Sequence, residues 1–260
     1  MILYKYISEK SLNDIFLNDH ISVKFNPIGN FNDPFESYGA CLATINDDNS
    51  LLHLTLRHTI NNELACLCLS KEPLSVLMWS HYADSHCGYV VGIDTEIAGF
   101  ENSNECVITA GEGDISYYSN RKKELLHVDE NSINDKEIIK KILLNKSIHW
   151  EYEQETRIIK RISELTCKDI HFLHETKNIN AIKEIYIGIK NEAFHNQVKN
   201  IPLLQSLLSN NEIKLFKCEF NAGTWDLKKE DYRFPLRNDF RISYMAEIER
   251  AIKAIHRNDI

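Results

Sequence analysis

Seven cysteines are spread through this 260-residue chain without a single Cys-x-x-Cys pair. That absence, with the odd count, leaves neither a zinc ribbon nor a disulfide framework to expect and fits a reducing compartment. Cys66 and Cys68 alternate inside an apolar run, where thiols act as small core fillers. The nine glycines compose no phosphate-cradling loop, no Rossmann fingerprint and no Gly-x-Ser-x-Gly elbow. No apolar run is long enough to cross a bilayer. Ile2-Leu3-Tyr4-Lys5 follow the first residue without the charged region, apolar stretch and cleavage site of a signal peptide. The expectation is a cytoplasmic protein with no membrane partner. Positive charge is also in deficit, the formal net charge being -8. There is no long basic stripe to track a duplex, and Arg121-Lys122-Lys123 and Lys140-Lys141 sit among acids as solvated surface. No internal repeat or low-complexity tract is present.

What remains, 43% hydrophobic and 26% charged residues, is the composition of an ordinary globular protein with a sizeable core. Patterning predicts strands over 2–7, 21–25, 115–118, 158–162, 170–173, 185–189 and 213–220, with 64–69 and 89–93 as buried strands. Helices are expected after Ser8 through Leu12, Ile15 and Phe16, over 51–61, over 74–83 with Pro73 at the first helical position, from Asp135 through Leu143, and over 192–208. Pro27, Gly29, Asn30, Asn32, Asp33 and Pro34 mark an ordered loop anchored by Phe31 and Phe35. This order implies an α+β protein, a mixed and mainly antiparallel sheet core with peripheral helices. Pro235 closes a single domain over 1–235, followed by a C-terminal helical extension over 236–260. In that extension Met245, Ile248, Ile252 and Ile255 recur at helical spacing over 244–255, a stripe that either packs on the domain or serves a partner or self-association.

The segment Trp150-Glu151-Tyr152-Glu153-Gln154-Glu155-Thr156-Arg157 is the richest in chemistry. Read as a strand, it places Glu151, Glu153, Glu155 and Arg157 on one face. Side by side, those acids must be offset by solvent, by Arg157 or by a substrate that wants negative charge, which makes the segment a candidate active site. The plainer alternative is a polar strand edge with Arg157 paired to a neighbouring acid. His81, Asp84, His86 and Cys87 offer metal donors, but the last two fall at a helix end and no second ligand cluster appears, so no metal is expected. Adjacency of His86 and Cys87 in sequence does not set a base against a thiol.

Leu3-Tyr4-Lys5-Tyr6, Asn32-Asp33-Pro34-Phe35-Glu36, Met78 through Asp84 and Trp150 through Arg157 together resemble, over about residues 1–190, a widespread bacterial family of uncharacterised proteins. More distantly, the layout resembles the ADP-ribosyltransferase superfamily, including nucleic-acid-modifying toxins of toxin–antitoxin systems. That resemblance implies that Lys5 stands where those enzymes usually carry a His or Arg that touches nicotinamide-adenine dinucleotide (NAD). It further implies that Ser70 ends a strand like their middle serine or aromatic motif and that Glu153-Gln154-Glu155 matches their Glu-x-Glu signature, with Glu155 the catalytic glutamate. An ADP-ribosyltransferase-like fold would follow, with NAD as substrate and ADP-ribose passed to a macromolecular acceptor, protein or nucleic acid, or to water, in a toxin or phage-defence setting.

On this reading Glu155 stabilises the developing oxocarbenium ion and Glu153 orients or deprotonates the acceptor. Arg157 or Lys5 meets the pyrophosphate, and Tyr82 or Trp79 stacks on the nicotinamide. Tyr6, Asn32, Asp33, Phe35 and His81 complete the expected substrate-binding set, the 32–35 loop being alternatively a plain turn in which Asn or Asp side chains bond the backbone. The competing class is a non-enzymatic module that binds protein or oligonucleotide through the same aromatic and acidic blocks.

Overall fold

The computed structural model describes residues 1–17, 19–36, 50–120 and 132–234. Pro235, the extension over 236–260 and its 244–255 helix lie outside the described residues. β1 (Ile2–Ile7) passes through a helical turn into α1 (Leu12–Ile15), which buries Leu12 and Ile15. β2 (Ile21–Pro27) runs into a turn, Ile28–Asn30, that opens the loop reaching Glu36. α2 (Ser50–Glu63) leads directly into β3 (Leu64–Ser70). α3 (Val76–Tyr82) starts at Ser75, whose hydroxyl accepts the Met78 amide, rather than at Pro73.

β4 (Tyr89–Asp94), β5 (Ser116–Tyr118), α4 (Lys136–Leu143) and β6 (Asn145–Ser147) follow. Asp135 caps α4 as its position suggests, accepting from the Glu137 and Ile138 amides. After a helical turn, Ile148–Glu153, come β7 (Glu155–Arg161), β8 (Thr166–Lys168), β9 (His171–Thr176) and β10 (Ile182–Ile187). The single helix expected over 192–208 is two, α5 (Phe194–Val198) and α6 (Pro202–Ser209). Pro202 lacks the N–H that a continuing helix needs and occupies a first-turn position instead. β11 (Lys214–Phe220) and β12 (Leu227–Asp231) complete the described chain. Among the described residues no helix is long and apolar enough to cross a membrane.

Among the described residues ten strands form one sheet in the order β12-β11-β10-β4-β1-β3-β2-β9-β8, with β7 also on β3. Every pairing in it is antiparallel except β10 with β11, so the mixed, mainly antiparallel α+β expectation holds. A separate parallel pair joins β5 to β6. The sheet forks at β3. β7 covers one edge of β3 from Leu64 to Ser70, whereas the other edge is shared. β1 meets it only at Tyr4–Ser70, and β2 only at Asn26–Cys66 and Pro27–Ala65. Between these two contacts β1 and β2 part, and Lys5 Nζ reaches across to donate to the Cys68 carbonyl at 3.1 Å.

Alternation along β7 sends Ile158 to the large apolar cluster and Ile159 to a smaller one. A third cluster, around Tyr6, Trp79, Tyr186 and Phe216, lies beyond it. Phe31 and Cys68 pack on the second cluster while Tyr6 and Met78 belong to the third and Tyr82 packs on it, and the cavity is lined from both sides.

The outer edge of β7 is covered by chain backbone, Arg157 N–H donating to the Gly113 carbonyl at 2.8 Å. A Cβ at Gly113 would run into the Arg157 carbonyl. Gly113→Ala should therefore destabilise by about 1–3 kcal/mol through overpacking, seen as a lower urea midpoint at constant m. An unmoved midpoint would show that this edge yields without cost.

Candidate active site

The strand anticipated from Glu151 onward begins only at Glu155. Gln154 adopts φ 44 and ψ 49, in the left-handed region, and separates a helical turn from β7. Glu151 is exposed and takes no part in a common acidic face. Glu153, the last residue of the turn, and Glu155, the first of the strand, are both brought to Lys146, whose Nζ donates to them at 2.6 and 3.2 Å. Ser70 secures this corner by donating from Oγ to the Glu153 carbonyl at 2.7 Å while accepting from the Glu72 amide at 3.1 Å. The Lys71 amide adds a bond to the Gln154 carbonyl at 3.1 Å, and the Glu155 amide donates to Tyr117 Oη at 2.8 Å.

Lys5, Tyr6, Asn32, Ser70, Tyr82, Glu153, Glu155 and Arg157, far apart in the chain, line one cavity of about 270 Å³. Trp79, His81, Asp33 and Phe35 do not line it. On α3, Met78 and Tyr82 are four residues apart and face the cavity, whereas Trp79 and Ala83 are fully buried in the core. The Trp79 indole N–H is bonded to the Pro73 carbonyl at 2.9 Å and its ring stacks on His86, so no face is open to a ligand. His81 is exposed beside the cavity, its ring 6.2 Å from those of Tyr82 and Tyr152. Asp33 Oδ1 accepts the Phe35 amide at 2.9 Å, the plain turn that Asx residues make. Phe35 is 61% exposed, whereas Phe31 packs on the second cluster with the Arg157 guanidinium 5.4 Å from its ring centre.

Two charged residues that sequence reasoning did not place in the site also line it. Glu36 lay within a quoted block but carried no separate signal, and Lys146 sits in a three-residue strand without a pattern. Arg157, 1% exposed, commits all five N–H donors. Nε bonds Glu155 Oε1 at 2.8 Å and Nη2 bonds Glu155 Oε2 at 3.2 Å and Glu36 Oε1 at 2.6 Å. Nη1 bonds Glu36 Oε2 at 2.9 Å and the Leu143 carbonyl at 2.6 Å. Among the described residues no group of three or more His, Cys, Asp or Glu is placed to hold a metal.

The two central carboxyls are driven apart in proton affinity. Burial pushes Glu155 up, but Arg157 and Lys146 outweigh it and hold the carboxyl down at about 2. Burial also raises Glu153, and here Lys146 and the Tyr82 hydroxyl, 2.7 Å away, do not overcome it because the Glu155 charge adds to the rise. Burial opposes the charge on Lys146, yet Glu155 and Glu153 together keep it protonated. One lysine between two carboxylates, with an arginine serving only one of them, leaves Glu153 as the member that takes a proton first.

Arg157→Met should destabilise by about 3–5 kcal/mol, since two buried carboxylates lose their partner; wild-type stability in a urea titration would show that they find another. The Glu155 contribution should be present above the ordinary value of 4.5 and lost as pH falls toward 2. Glu153 acts in the opposite sense, stabilising below 4.5 and losing that contribution as pH rises through its higher folded value. Glu153→Gln should accordingly gain stability relative to wild type as pH rises above 4.5, and an unchanged difference would contradict the raised carboxyl.

A family model described as a protein of unknown function, DUF2971, matches residues 78–158. The match runs from the cavity face of α3 to β7 and includes Tyr82, Lys146, Glu153, Glu155 and Arg157. It is similarity to an uncharacterised family over a shorter span than the 1–190 expected from the four blocks, leaving Lys5 and Glu36 outside it. No curated protein and no solved structure matches the chain.

Proposed function

We propose that this cavity cleaves the bond between nicotinamide and ribose in NAD and passes ADP-ribose to a macromolecular acceptor or to water, within an ADP-ribosyltransferase-like arrangement. The observation that carries the proposal is the pair Glu153 and Glu155, two residues apart, of opposite proton affinity and joined by Lys146 in one cavity with Lys5 and Tyr82. As the C–N bond breaks, nicotinamide leaves with the bonding electron pair and the ribose carbon becomes cationic. Glu155, anionic at every physiological pH, stabilises that carbon electrostatically. The acceptor's oxygen or nitrogen then attacks the carbon and gives its proton to Glu153. Tyr82, with its hydroxyl on Glu153, takes the stacking role for which Trp79 is too deeply buried. A cytoplasmic toxin or phage-defence effector is the setting this chemistry suits.

Nicotinamide release from millimolar NAD, followed chromatographically, tests it. Glu155→Gln and Glu153→Gln should each slow release by about 10²- to 10⁴-fold, with folding checked by circular dichroism. Wild-type activity should rise with pH as Glu153 loses its proton, a limb absent from Glu153→Gln. A folded wild type that neither binds NAD nor releases nicotinamide would end the catalytic proposal in favour of a recognition module.

A further inference from the structure

The donors in the cavity are unevenly committed, and counting them shows where an anionic ligand can be received. Arg157 has none left, its five N–H groups being held by Glu155, Glu36 and the Leu143 carbonyl. Lys146 bonds Glu153 and Glu155, with Glu36 at 4.0 Å, and its ammonium lies 4.8 Å from the Trp150 ring centre. Lys5 differs from both. Its ammonium gives one N–H to the Cys68 carbonyl and has no carboxylate within ion-pairing distance among the described residues, leaving two donors in the cavity. Across the fork stands Asn26, also lining the cavity, whose side-chain amide makes no hydrogen bond among the described residues.

Resting on the reading above, we propose that Lys5, with Asn26 across the fork, receives a single phosphate of a nucleotide, and that the cavity holds one nucleotide unit while the rest of the substrate projects outward. Lysine binds phosphate as a point charge and does not need the planar fork that an arginine would present. At about 270 Å³ the cavity lies just below the usual range of ligand pockets, roughly 300–1,000 Å³, and suits one nucleotide rather than two. Phe31 and Tyr82 supply aromatic faces, and Asn32 an amide, for the heteroaromatic ring that accompanies such a phosphate.

Nicotinamide mononucleotide and nicotinamide riboside differ by that one phosphate, so the ratio of their Kd values, from calorimetry, isolates it. The wild type should prefer the mononucleotide by about 10-fold or more. Lys5→Met should bring the ratio close to one, while Lys5→Arg, which keeps a cation, should retain a preference. If Lys5→Met does not fold, Asn26→Asp leaves the Lys5–Cys68 bond in place and sets a negative charge across the fork; it too should abolish the preference. An undiminished ratio in the folded variant overturns the proposal, as does a wild type that fails to discriminate or binds neither ligand. A Lys5-dependent preference without nicotinamide release sustains the phosphate site while ending the NAD-cleaving reading.

Discussion

A guanidinium sealed in the interior with every donor engaged is the constraint from which the rest of this molecule follows. Arg157 fastens three pieces of chain at once: its own strand through Glu155, the loop after β2 through Glu36, and the last turn of α4 through the Leu143 carbonyl. A helix C-terminus favours a nearby cation, so the last of these contacts is electrostatically matched as well as geometrically satisfied. Buried ion pairs seldom outperform an apolar core in stability, because desolvation offsets most of the attraction. What the arrangement supplies is position, fixing the Glu155 carboxylate to one orientation and the loop wall to one distance.

That fixation also sorts the acids. Glu155 and Glu153 share Lys146, but only Glu155 has the arginine, and a two-residue separation in sequence becomes a large separation in proton affinity. Gln154, in its left-handed conformation, is the backbone cause, since a continuous strand would have placed the two carboxyls in line rather than around one ammonium.

Much of the scaffold was readable from residue pattern, and the failures have local reasons. Apolar runs such as Leu64–Ser70 and Tyr89–Asp94 announce buried strands because both faces are covered. β12, Leu-Lys-Lys-Glu-Asp, shows no such run because among the described residues it is an edge of the sheet, where charge discourages further pairing. The acidic segment mimicked a strand by alternation alone, and one left-handed residue broke the mimicry. Helical spacing on α3 leaves Tyr82 and Trp79 equal candidates for the stacking role, and only the packing of Trp79 against Tyr6 separates them. Glu36 became visible only in three dimensions, since nothing in sequence links it to Arg157, 121 residues away, and Lys146 sits in a three-residue strand too short to show a pattern.

The fork at β3 bears on how the chain is made. β3 obtains the partner for its full-length edge only when β7 arrives, and β4 obtains β10 later still, so the pairings around the cavity are long-range and close slowly. During synthesis the N-terminal half emerges with one edge of β3 unpaired and a loop whose Glu36 awaits its arginine, a state exposed to misassociation until the second half leaves the ribosome. A ribosome that stalls before residue 157 would thus release a product with sticky strand margins and an unassembled pocket, which makes formation of the cavity depend on complete translation.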